Sequence, residues 1–196
     1  GAGAPVSARI LLAAALLLLA GPSRAAHIDL AGSDLGGGSV VETDLGPDTL
    51  AFDPAFVSFS AMTLHIVLDA GEGTAPLAWN ALVDNLTGEL WGAFSIRLAG
   101  ATFTLVGSAK GNSAVASVVG GAADPTVVFG APGEAAGLDL GAALGTGTDW
   151  LIDVSGVGAE GFAIVLQPLA VPEPGTAALV ALGLAGLCVR RRPGER

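Results

Sequence analysis

Cysteine is nearly missing: the one thiol in 196 residues, Cys188, lies in an apolar run near the C-terminus. No intramolecular disulfide is open to the residues before it, so whatever folds there rests on packing alone. Basic residues are almost as scarce through the middle. Between Ala26 and Ala170 only Arg97 and Lys110 are basic, while every acid except Glu173 and Glu195 falls there, 16 of 18, for a formal charge of −14. Such a field repels nucleic acid and anionic lipid, and neither is expected as a partner. Histidine is limited to His27 and His65. The chain also has no Gly-x-Ser-x-Gly, no phosphate-cradling glycine loop with its lysine and no His-Glu-x-x-His, so a His-based triad or zinc site has little to draw on. His65, isolated in an alternating run, reads as a solvent-facing strand residue. Paired carboxylates for glycoside hydrolysis are the one catalytic device left open, and scattered surface acids are the commoner explanation. The expectation is a protein that is not an enzyme.

What the chain has in excess is glycine, 30 residues of 196, against a usual share of about 7%. Short alternating runs between the glycines favour turns over disorder. "MTLHIVLD" sets Met62, Leu64, Ile66 and Leu68 on one face, and "AFSIRLAG" sets Phe94, Ile96 and Leu98. Trp150, Ile152 and Val154 alternate in "DWLIDVSG", as do Phe162, Ile164 and Leu166 in "GFAIVLQP". Further strands are expected at Ala55–Ser60, Leu77–Leu86, Ala101–Gly107, Ala114–Val119 and Thr126–Phe129. In "ALVDNLTGELWGAFSIRL" one strand ends near Leu86, a turn follows at Thr87 and Gly88, and another begins near Trp91. "GEAAGLDLGAALG" is expected to form a helical turn at most. The sum is an all-β fold, an antiparallel β-sandwich of about eight to ten short strands. Asp-Leu-Gly recurs at Asp34, Asp44 and Asp139, but its spacing defines no solenoid or propeller.

The two ends read as addresses. Arg9, the apolar stretch Ile10 to Ala20, and then Gly21, Pro22 and small residues have the layout of a secretory signal, with Ser23 and Ala25 suited to a cleavage site after Ala25. That implies the Sec translocon and signal peptidase as partners. Near the other end Thr176 to Val189 is a run of about 14 residues with no charge, roughly 21 Å as a helix against a hydrocarbon core of roughly 30 Å. Arg190, Arg191 and Arg192 follow it and hold that end in the cytoplasm. A short C-terminal transmembrane helix is the expectation, with the acidic domain facing outward. Pro172 and Pro174 restrict Val171 and Glu173 to extended backbone, the form a peptidase accepts, and Gly175 permits the change into a helix.

"VPEPGTAALVALGLAGLCVRRRPGER" resembles the PEP-CTERM protein-sorting signal, with Val171, Pro172, Glu173, Pro174 and Gly175 at the motif, a short helix after it and the arginine cluster as topology tail. The resemblance covers about the last 26 residues. It implies export in a Gram-negative bacterium, an inner-membrane precursor, recognition by an exosortase, and delivery to the cell surface or an extracellular polysaccharide matrix, as in a biofilm. The domains are then a signal peptide over 1–25, an acidic β-sandwich over 26–170 and the sorting signal over 171–196. A plain tail anchor is the rival reading of this end.

For the middle, two ligand classes come into view. Asp44, Asp48 and Asp53 crowd "DLGPDTLAFDP", and such loops bind calcium in extracellular modules, although the spacing fits no EF-hand. No cofactor is expected otherwise. Trp79, Trp91 and Trp150 could stack on sugars, as in a carbohydrate-binding module for extracellular polysaccharide, but each sits in an apolar run where burial is the plainer expectation. Asn85-Leu86-Thr87 matches a glycan-acceptor sequon, which carries little weight in a bacterium.

Overall fold

The computed structural model describes residues 26–44, 48–69 and 75–171. The expected signal peptide, the motif residues Pro172 to Gly175, the apolar run and Arg190 to Arg192 lie outside the described residues. Those described form thirteen strands: β1 (Ala26–Asp34), β2 (Ser39–Asp44), β3 (Thr49–Phe56), β4 (Met62–Leu68), β5 (Leu77–Asn85), β6 (Trp91–Ala99), β7 (Thr102–Leu105), β8 (Ala109–Gly111), β9 (Ala116–Val119), β10 (Thr126–Phe129), β11 (Gly137–Leu140), β12 (Trp150–Asp153) and β13 (Phe162–Ala170). One sheet runs β1-β4-β13-β6-β10-β9, and the other runs β2-β3-β5-β11-β8 with β12 joining β5 to β7. Buried side chains from both sheets make one core, an arrangement consistent with a β-sandwich.

The alternation of the sequence is the alternation of burial. Met62, Leu64 and Ile66 on β4 and Phe162, Ile164 and Leu166 on β13 are all buried, and from the other sheet Leu77, Trp79, Ala81 and Val83 on β5 meet them. Two aromatic groups fill the space between. Trp79 stacks on Phe52 at 5.7 Å and meets Trp150 edge-on at 5.7 Å, with Phe103 5.2 Å from Trp150. Trp91, Phe94 and Phe56 form the second group at 5.5 to 5.8 Å. Each such pair adds about 0.5–1.5 kcal/mol beyond the area it hides. The first group lies wholly within the second sheet, while the second joins Phe56 of β3 to Trp91 and Phe94 of β6 and so, with no disulfide available, ties the two layers together.

Three expectations need correction. The arrangement is not wholly antiparallel, because β3 and β5 pair parallel, Thr49 beside Ala78 and Ala55 beside Asp84. Between them the chain crosses to the other sheet as β4 and returns, so no hairpin can reverse its direction. The strand expected at Ala55–Ser60 is β3, displaced towards the N-terminus: Leu50, Phe52 and Phe56 enter the core and Val57 to Phe59 bend away. "GLDL", expected as part of a helical turn, is β11, buried at all four positions between β5 and β8.

A substitution of Trp150 to Ala should lower stability by about 3–5 kcal/mol, read as the shift of the urea midpoint at constant slope. Val128→Ala, on the exposed side of β10, should stay within about 1 kcal/mol of the parent in the same titration.

Candidate functional site at the end of the last strand

The site is where β13 gives way to the proline motif. From Phe162 to Leu166, β13 lies between β4 and β6; its pairing with β4 ends at Leu166 beside Met62, whereas pairing with β6 continues to Ala170 beside Trp91. Pro168 falls in the part flanked on one side only. A residue without an N–H is tolerated there, and it blunts an otherwise open edge.

Opposite this last stretch β6 carries a bulge. Leu169 faces Ala93 but Ala170 faces Trp91, leaving Gly92 as the extra residue. The bulge resets the alternation, so that Trp91 and Phe94, three apart, are both fully buried. A Cβ on Gly92 would stand 3.0 Å from the Ala170 carbonyl oxygen and 3.0 Å from Val171 Cα. A side chain there would press on the outgoing chain, which passes close against the bulge. The Val171 N–H reaches the Leu90 carbonyl at 3.4 Å, the last contact before the motif proper.

Beneath this exit lies a buried polar hub. Trp91 and Glu134 exchange both backbone hydrogen bonds, each 2.9 Å. The fully buried Glu134 carboxylate accepts from the N–H groups of Ser113, Ala114, Ala136 and Gly137 and from the Ser113 hydroxyl. Burial alone would raise its pKa. The hydrogen bonds, first from the Ser113 hydroxyl and then from the N–H groups of Ser113, Ala136 and Ala114, outweigh burial and hold the carboxyl below its ordinary range. Asn85 completes the hub: its Nδ2 donates to the carbonyls of Glu89 at 2.8 Å and Glu134 at 3.1 Å, and its Oδ1 accepts from Thr87. The sequon asparagine is therefore a buried brace. Sequence reasoning passed over Glu134 as one acid among many; its place in "GAPGEAAG", a turn, carries no sign of burial.

The other candidate residues do not converge. Asp44 closes β2 and Asp48 stands in the exposed turn, while Asp53, three positions along β3 from the Leu50 that faces Asp44, lies about 10 Å further on. The Asp53 carboxylate accepts from Leu82 N–H at 3.0 Å, where the β3–β5 ladder is interrupted beside Pro54. It does the work of a missing ladder acceptor. Among the described residues no three His, Cys, Asp or Glu side chains gather as metal ligands. Trp79, Trp91 and Trp150 are fully buried, so none can stack on a sugar. His65 is not isolated: its Nδ1 lies 3.6 Å from Asp29 Oδ2 across the strand pair, and His27 Nδ1 lies 3.3 Å from Asp69 Oδ1. Ser33, the nearest hydroxyl on that edge, is used by backbone, donating to the Asp29 carbonyl and accepting from His65 N–H.

The comparison with known families bears on this same place. Residues 170–192 match the PEP-CTERM protein-sorting motif. The chain carries an exosortase sorting motif. A PEP-CTERM motif marks an exported protein sorted to the cell envelope, with an exosortase as processing partner. Nothing among the curated proteins or the solved structures matches the chain. Among the described residues no helix is long and apolar enough to cross a membrane.

Glu134→Gln should destabilise the domain by about 2–4 kcal/mol at neutral pH, because an amide turns donors towards donors. Since the folded carboxyl has the lowered pKa, its contribution is complete above the usual carboxylate range and is lost as pH falls through the lowered value. Urea titrations across acid pH should show the parent losing stability there and the variant, starting lower, losing less.

Proposed function

We propose that this is an exported, non-enzymatic surface or matrix component: an acidic β-sandwich led by a cleaved signal peptide and delivered through its PEP-CTERM tail. Thr176 to Val189 enters the inner membrane as a short helix with Arg190 to Arg192 on the cytoplasmic side, and an exosortase then processes the segment around Val171 to Gly175. The observation that carries this reading is the seam. The match to the sorting motif begins at Ala170, the last residue of β13, so folded domain and processing signal meet without a linker. The absence of catalytic motifs from the sequence and the interior position of the three indoles favour a structural role over turnover or sugar stacking.

Intact-mass measurement on membrane and extracellular fractions, with and without the exosortase, tests the reading. The expected species has lost about the first 25 residues and everything beyond the motif, and it occurs outside the cell only with the enzyme present. A protein that keeps Arg190 to Arg192 and stays in the membrane of both strains would make the tail an ordinary anchor. The new C-terminus should fall at or after Val171, because cutting further back requires β13 to leave β6. Glu173→Ala, three residues past the last pairing of β13 with β6 at Ala170, should leave the urea midpoint unchanged and accumulate full-length precursor.

A further inference from the structure

Beside the exit of β13 the surface is hollowed into an apolar groove of about 480 Å³, lined among others by Ala93, Val128, Phe129, Pro132, Leu169 and Val171. No charged side chain lines it. In a domain carrying 16 acids against two bases, a charge-free hollow is a departure from the rest of the surface. Large apolar side chains stand open at its margin: Val128, Leu169 and Leu90 are each 38% exposed. Leu90 belongs to this margin because a Cβ on the lining residue Gly133 would touch Val171 Cγ2 and Leu90 Cβ. Water gains nothing from these groups, and an uncharged hollow rimmed by exposed apolar side chains favours an apolar neighbour.

The position of the groove names what covers it. Val171 is both a lining residue and the point from which the chain continues, and four residues separate it from Thr176, where the apolar run begins. Even fully extended, those five steps span at most about 18 Å. Whatever surface receives the run is therefore brought against this end of the domain and no other. The opposite end of β13, near Gly100 and Ser155, is about 26 Å away along the strand. Its hollow is lined by Thr102, Asp153 and Ser155, polar groups suited to water.

We infer that the groove is a bilayer-contact surface: while the precursor is anchored, the end of the domain bearing Val128, Leu169 and Leu90 rests in the outer headgroup and upper acyl region, which holds the Pro-Glu-Pro segment at the membrane face for processing. This rests on the reading of Thr176 to Val189 as a membrane segment. The groove lining carries no charged side chain, so contact requires no anionic headgroup, and processing frees the domain by removing the tether.

Full-length protein with Cys188→Ser and a single fluorophore-labelled cysteine at Val128→Cys, Leu169→Cys or Ser155→Cys is reconstituted in neutral vesicles of phosphatidylcholine and phosphatidylethanolamine carrying a lipid-bound quencher. Flotation reports the tail, and quenching reports the groove. Both groove labels should be quenched at least about threefold more strongly than Ser155→Cys, as for side chains seated in the outer 5–10 Å of a bilayer. Equal, weak quenching at all three positions in vesicles that float with the protein overturns the inference while leaving the membrane tail intact. Protein that fails to float removes the tail reading and the inference with it. Shielding of the groove labels only when the exosortase is co-reconstituted assigns the groove to the enzyme instead and equally overturns lipid contact.

Discussion

Eight residues of β13, Ala163 to Ala170, pair with β6, and this ladder is the constraint from which the rest follows. It places the final strand inside the first sheet, where Phe162, Ile164 and Leu166 fill the core, and it carries the chain to the protein's edge at a fixed point. Because the other neighbour, β4, stops pairing at Leu166, the last residues are held by β6 alone, through a bulge where a side chain on Gly92 would crowd the outgoing backbone. The bulge in turn puts Trp91 into the second aromatic group and hydrogen-bonds it to Glu134. The position of the sorting motif, the packing of one end of the core and the burial of Glu134 thus share one local geometry.

Without disulfides, the domain depends on shape-matched packing and on polar groups placed where ladders fail. Asp53 fills a gap beside Pro54, and Asp149 accepts from Asn80 Nδ2 and Ala142 N–H where β11 and β12 share one edge of β5. Glu134 does the same for the loop around Ser113. Several carboxylates of this acidic chain are therefore bound up in backbone repair. Of these, Asp53 stands in the sequence with Asp44 and Asp48 as a candidate calcium ligand. The hydrogen bonds of Asp53, Asp149 and Glu134 supply a structural account, since an unmatched buried N–H costs about 1–3 kcal/mol.

Period-two runs were readable wherever one sheet face is buried and the other wet: β4, β5, β6, β12 and β13 lie close to their expected bounds, and the bend at Thr87–Glu89 separates β5 from β6 as expected. β11 was not readable, because a short strand buried at every position shows no alternation. β1 and β2 are interrupted or flanked by glycines and carry several polar residues, so their strand character comes from pairing with β4 and β3 rather than from local preference. The parallel pairing of β3 with β5 is a matter of topology and leaves no local mark. At the site, the proline motif was legible as chemistry, since prolines bracketing a glutamate dictate an extended segment. The hub of Glu134 and Asn85 was not, because burial of a polar side chain depends on residues far away in the chain.

The seam explains why a folded domain can be joined to its processing signal with no spacer. On the proposed reading of the tail as a membrane segment, a linker would let the motif wander from the membrane and the domain tumble away from it, whereas pairing of β13 with β6 up to Ala170 keeps the two close. At this exit the groove lining carries no charged side chain, although the domain as a whole is rich in acids. The domain's net negative charge disfavours nucleic acid and anionic lipid, and, on the proposed membrane reading, the charge-free groove beside Val171 lowers the cost of standing close to a bilayer. On that reading, the uncharged lining of the groove and the pairing of β13 with β6 serve one requirement, that the domain's orientation be set by the strand that leads into the motif.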